Sequence, residues 1–246
     1  ETADRIITGD SELTVSVVQD KEMNTQAHSD GRSITFNANL IDDFDSDNIM
    51  HLHGLNYHEL AHVLFSPRAG SNLIQYVKNN KYARAVTLLE EARAESLLIA
   101  KYPNTKLFLE ATTMQYLLND MSDVAGCFPL ITGRTYLPLE LRQAVADKFI
   151  QQHGAELART IHNLIHEYRR LVFPRDFDRA KELIADMAKI VGLDDTTNSW
   201  DIDTHGTEMK QGRPANKNEQ ERLQGKIGKT NEGKENLDTS DVPTEG

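Results

Sequence analysis

Apolar residues recur at Ile49, Leu52, Leu55, Leu60, Val63 and Leu64, a spacing that belongs to a helix and not to a strand. Ser46 stands where a helix cap is needed, and Asp47 falls in the first turn, where negative charge suits the helix dipole. Ser66-Pro67 closes the segment, because the residue before a proline is pushed out of helical angles. The pattern predicts a helix over about 47–65. A second, denser helical run extends from about 81 to 100. Upstream, 13–18 and 33–37 are rich in β-branched residues and predict two strands, with Ser29-Asp30-Gly31 as a turn signal. The pattern leaves open which strand lies at the sheet edge. Beyond Pro103 it is almost wholly helical, over 104–119, 138–152, 155–172 and 175–191. Leu117, Leu118, Leu141, Val145, Phe149, Ile161, Leu164, Ile165 and Leu171 supply the apolar faces. Residues 120–138 read as a loop able to wall a cleft. A small N-terminal sheet followed by helices makes the expected class α+β.

Composition then divides the chain. Of its 246 residues, 39% are hydrophobic, enough for one sizeable domain and a separate tail. Residues 201–246 carry 7 Lys or Arg and 10 Asp or Glu, with few large apolar side chains. Such a stretch buries too little surface to offset its ordering entropy, so 199–246 is expected to be a disordered polar linker or tail. The expected domain is 1–198: β-rich over 1–45, site-bearing helices over 46–102, and a helical half over 103–198. There is no secretory leader and no run of 18 apolar residues, so a soluble, cytoplasmic protein is expected. The start at Glu1 rather than Met is what a trimmed fragment would show. The lone Cys127 excludes an internal disulfide and is expected in the core. A formal charge of −11 disfavours non-specific attraction to nucleic acid or anionic membrane.

The first predicted helix carries His58-Glu59-Leu60-Ala61-His62, the HExxH pattern. Residues four apart on a helix lie one above the other, so both imidazoles can bind a single Zn2+. The intervening Glu59 is then placed as general base toward a zinc-activated water. A catalytic zinc site commonly takes three protein ligands and a water. A metzincin would follow His62 with Gly and His at the third and sixth positions; Phe65 and Arg68 stand there, which excludes that class. The third ligand is therefore sought in the run 88–95, which holds Glu90, Glu91 and Glu95 among apolar residues. Glu91 and Glu95 share a face and resemble the ExxxD arrangement of gluzincins, where the first carboxylate binds zinc and the second orients a ligating His. Glu91 is taken as the third ligand. Glu90, one residue away, stays as the alternative, since both flank the apolar stripe. Arg93 falls within that stripe and is expected to pair with a carboxylate.

Three segments in order carry a wider resemblance: 27–34 (AHSDGRSI), the HExxH block, and 89–95 (LEEARAE). They resemble the TDG, HExxH and LEDxRxE blocks of gluzincin-like zinc metallopeptidase domains upstream of von Willebrand factor A-type domains. Those domains occur in bacterial and phage proteins related to cobalt-chelatase subunits and nitric-oxide-reductase activation proteins. The resemblance spans about 12–190, with HExxH its specific part; Ser29 replaces the usual Thr and Glu91 the usual Asp. It implies a zincin-like fold, the small sheet packed on the HExxH helix, and bound zinc. It also implies a polar linker before a downstream domain.

Three functions follow. In the first, a zinc metallopeptidase hydrolyses a protein or peptide substrate, with His58, His62 and Glu91 as ligands and Glu59 as base. In the second, a weak or inactive zinc-binding adaptor partners an AAA+ ATPase or a von Willebrand factor A-type domain. Metal handling for a chelatase-like assembly is a third. Retention of Glu59 favours the first, since a purely structural site needs no base; the polar tail and the family resemblance favour the second. His51 and His53 are expected to be partly exposed, and His162 and His166, which lack a Glu between them, to serve packing or surface. Tyr57 and Tyr116 are candidates for polarising a substrate carbonyl.

Overall fold

The computed structural model describes residues 2–23, 25–41, 49–68, 70–118, 124–193 and 217–231. A short helix α1 (Thr2–Thr8) precedes three strands, β1 (Thr14–Val18), β2 (Ala27–Ser29) and β3 (Ser33–Asn37). Helices α2 (Ile49–Phe65), α3 (Asn72–Asn80) and α4 (Ala83–Lys101) follow, then a 3-10 turn at Pro103–Thr105. The remainder is α5 (Lys106–Leu118), α6 (Val124–Thr132), α7 (Leu139–His153), α8 (Ala155–Tyr168), α9 (Phe177–Val191) and α10 (Lys217–Asn231). The class is α+β. None of the described helices is long and apolar enough to cross a membrane.

The sheet order is β1-β3-β2, with β1 parallel and β2 antiparallel to the central β3. The turn joining β2 to β3 forms for a local reason. Asp30 Oδ1 accepts the backbone N–H groups of Arg32 and Ser33, while Gly31 takes φ 86°, which its missing Cβ permits. The alternating inward residues Ile34 and Phe36 join Leu13, Ile41, Leu55 and Leu60 in a small core between sheet and α2. On its opposite side α2 turns Ala61, Leu64 and Phe65 toward Ala94, Leu97 and Leu98 of α4. The HExxH helix is thus wedged between the sheet and α4. Gly54 lets α5 cross closely: a Cβ there would collide with Thr112 and the Phe108 carbonyl, and Thr112 Oγ1 donates to the His51 carbonyl at 2.9 Å.

Helix α4 is the axis of the molecule, buried from Ala85 to Leu98 on nearly every side. Its far side meets the largest core, where Leu89 and Ala92 pack with Phe128, Ile131, Phe149, Ile165 and Met187. Cys127 is buried there, as expected of a core residue.

Several expectations are corrected. The start of the chain is helical in α1, ended by Gly9 at φ 68°. The expected loop 120–138 contains α6; with Cys127, Phe128 and Ile131 all buried, it shows no amphipathic stripe, and Gly126 and Pro129 mimic breakers. The expected disordered tail contains α10, which packs on α4 and seats Leu223 at 0% exposure in the core beside Leu97 and Leu98. Few apolar residues suffice there because the docking is largely polar. The proposed cap Ser46 and first-turn Asp47 lie outside the described residues.

Candidate metal centre

One turn of α2 separates His58 from His62, and their rings stand edge to face with centroids 4.7 Å apart. The opposing turn of α4 brings Glu91 between them. His58 Nε2 lies 3.4 Å from Glu91 Oε2, and His62 Nε2 lies 3.5 Å from Glu91 Oε1. Both imidazoles therefore aim the same nitrogen at one carboxylate.

The other ring nitrogens explain that choice. His58 Nδ1 lies 2.8 Å from Glu95 Oε1, and an ionised carboxylate only accepts, so Nδ1 carries the proton. His62 Nδ1 lies 2.9 Å from Ser66 Oγ. The Ser66 hydroxyl spends its proton on Glu90 Oε1 at 2.8 Å, so Ser66 accepts from His62 Nδ1–H. Each Nε2 is thereby left with its lone pair turned inward, the tautomer that a metal-binding histidine needs.

These residues fit a zinc ion. Tetrahedral N and O donors about 2.0–2.1 Å from zinc sit about 3.3–3.4 Å from one another. Each Nε2 lies near that separation from one of the two Glu91 oxygens, and one donor atom from each of His58, His62 and Glu91 lies within 4.8 Å of the others. Among the described residues this is the one such grouping of His, Cys, Asp or Glu. Glu59 is 7% exposed on the same turn of α2, and its charge acts on both imidazoles. Its carbonyl accepts from Ser29 Oγ at 3.4 Å, which ties β2 to the motif.

The electrostatics are those of a site short of positive charge. Burial pulls the His58 imidazole down, but Glu91, Glu95 and Glu59 outweigh it and hold its pKa at about 9. His62 is raised by the same balance of burial against Glu91. Burial would push Glu91 and Glu95 up, yet the imidazoles and Arg134 hold both carboxylates below their usual range. A protonated imidazole turns its Nε2–H toward Glu91, into the space a cation would take, and the neutral form turns its lone pair there.

Sequence reasoning did not find Arg134, Tyr136 or Ser66. Arg134 donates from Nε to Glu95 Oε2 at 2.7 Å and from Nη2 to Glu95 Oε1 at 3.0 Å and Glu91 Oε2 at 3.2 Å. Tyr136 Oη donates to Glu95 Oε2 at 2.9 Å. Both sit just after α6, inside the stretch expected to be loop. The available signal was charge: two carboxylates buried on one helix face need a cation, and Arg134 follows the apolar segment of α6. The structure does not bring Glu90 to the imidazole Nε2 atoms. Glu90 instead pairs with Arg93 Nη1 at 2.9 Å and accepts from Ser66 Oγ, behind His62, at 2.8 Å. Arg93 is paired as expected and is 0% exposed.

The remaining residues fall as follows. His51 is buried, 4% exposed, against the expectation of partial exposure; its Nε2 lies 2.8 Å from Gln26 Oε1 and burial lowers its pKa. His53 is exposed and packs with Tyr57 and Phe108. His162 and His166 stack on each other, half-buried, with centroids 6.2 Å apart. The side chain of Tyr116 lies outside the described residues. No family model, curated protein or solved structure matches the chain.

Proposed function

We propose that the protein is a zincin-like zinc metallopeptidase. The observation that carries this reading is the convergence of His58, His62 and Glu91, whose donor atoms lie within 4.8 Å of one another with both Nε2 atoms turned to the carboxylate, and Glu59 on the same turn. His58, His62 and Glu91 would hold the ion. Bound zinc would bring the pKa of water toward neutrality and polarise a substrate carbonyl. Glu59 accepts the proton of the attacking water and delivers it to the departing amine, so the peptide C–N bond breaks without a charged amide leaving. Glu95 and Ser66 keep both imidazoles in the productive tautomer throughout.

The substrate is a peptide in extended form. Among the described residues β2 is a sheet edge, and Ser29 fastens it to the backbone of Glu59. A peptide adding to that edge by backbone hydrogen bonds would pass the site.

The test is elemental and kinetic. The chain binds one zinc, His58→Ala abolishes binding, and hydrolysis of an unfolded protein substrate is lost in Glu59→Gln while zinc is retained. Stoichiometric zinc without hydrolysis of any peptide would replace this reading with a zinc-stabilised adaptor docking an AAA+ ATPase or a von Willebrand factor A-type domain. Absence of metal under non-chelating conditions would remove both.

A further inference from the structure

Helix α10 begins at Lys217, far along the chain from α9, which ends at Val191, yet it reaches the rear of the metal centre. Its polar residues do the docking. Gln220, 4% exposed, accepts on Oε1 from Arg93 Nη2 at 2.8 Å and from the Phe173 backbone N–H at 3.2 Å. Its Nε2 donates to the Phe173 carbonyl at 3.2 Å. From there a chain of hydrogen bonds, buried at Arg93 and Glu90 and half-buried at Ser66 and His62, runs without a gap: Arg93 Nη1 to Glu90 Oε1 at 2.9 Å, Ser66 Oγ to that same oxygen at 2.8 Å, and His62 Nδ1 to Ser66 Oγ at 2.9 Å.

Each link constrains the next. The Arg93 guanidinium is also held by the carbonyls of Phe65 and Leu171 and lies 3.8 Å over the Phe173 ring. Gln220 takes the Nη2 corner of that plane. Glu90 is an acceptor only, and Ser66 has a single proton, so the direction of every bond is set from the arginine end. His58 is outside the chain, because its Nδ1 is held by Glu95, which Arg134 and Tyr136 fix in turn.

We propose that α10 is a latch on the metal centre, in which Gln220, acting through Arg93, Glu90 and Ser66, is a positioning residue for His62 and leaves His58 untouched. The consequence for zinc rests on the reading above; the orientation of His62 does not.

Two measurements on the full chain test it. The first uses metal-free protein with 15N-labelled histidine. Gln220→Ala, and the volume-matched Gln220→Met should the first fold poorly, shift the ring nitrogens of His62 and leave those of His58 in place. Movement of both rings, or of neither, overturns the proposal. The second is zinc affinity by chelator competition. Gln220→Ala weakens it about tenfold, as removal of a partner behind a metal ligand does. Ser66→Ala weakens it comparably, and the double variant is no worse than Ser66→Ala, because both cut one chain. Gln224→Ala, which removes the α10 contact to the Arg169 carbonyl outside the chain, leaves zinc affinity unchanged. Full additivity, or an equal loss in Gln224→Ala, overturns it. A wild-type chain that takes no zinc would refute the peptidase reading, and the ring-nitrogen measurement would still decide on the latch.

Discussion

Two buried arginines clamp neighbouring carboxylates of α4, and they serve different ends. Arg93 and Glu90 are both 0% exposed, enclosed by Phe65, Leu171, Phe173 and Gln220. Arg134 holds Glu91 and Glu95 against the imidazoles, where His58 and His62 keep side-chain exposures of 23% and 16%. The same ion-pair chemistry therefore makes a sealed strut on one face and a tuned, reachable site on the other. Access and the identity of the neighbours, not the pair itself, separate structure from chemistry.

Breaking the strut is expected to have the largest effect. Arg93→Met leaves Glu90 buried without its cation, and loss of one partner of such a pair costs about 3–5 kcal/mol. Chemical denaturation would read it, and a change under about 1 kcal/mol would mean the strut is dispensable. On the site face, pH should act in opposite senses on metal and fold. His58 has its pKa raised from 6.5 to about 9, so its contribution to metal-free stability is complete below pH 6.5 and is lost as pH rises to 9. Zinc must displace that proton, so its affinity climbs over the same window, by up to about tenfold per pH unit. Parallel titrations of unfolding and of zinc binding would expose any mismatch; flat zinc affinity from pH 6.5 to 9 would refute the assignment.

Glu95→Gln sharpens the contrast further. It removes the acceptor charge behind His58 and should weaken zinc by about 10–100-fold, with a smaller loss of stability than Arg93→Met because Arg134 retains Glu91. Equal damage to fold and metal would erase the distinction between the two faces. Tyr136→Phe is the mildest test. It deletes one of several hydrogen bonds to Glu95, so thermal unfolding should shift by the equivalent of about 1 kcal/mol and zinc affinity by a few-fold.

Much of the site was legible along the chain, for a geometrical reason. The pairs 58 and 62, and 91 and 95, each share a helix face whatever surrounds them. Arg93 was readable as a paired cation, because a charge in an apolar stripe requires a partner. Strands β1 and β3 emerged from β-branched runs, whereas β2, only Ala27–Ser29, is too short to show a pattern. Helix α6 hid behind Gly126 and Pro129, and with it the position of Arg134. Helix α10 hid because it docks through Gln220, Gln224 and a single fully buried Leu223, which composition cannot distinguish from a solvated segment.

Local periodicity sufficed for two helices, for the stacking of the imidazoles on one, and for the facing carboxylates on the other. It could not tell Glu90 from Glu91, because neighbouring helix positions differ by a rotation of about 100° and either could have faced α2. That rotation is set by everything packed against α4 at once: Leu97 and Leu98 toward α2, Leu89 and Ala92 toward the large core, and Arg93 under α10. Only their simultaneous packing turns Glu91 toward the imidazole Nε2 atoms and Glu90 toward Arg93 and Ser66.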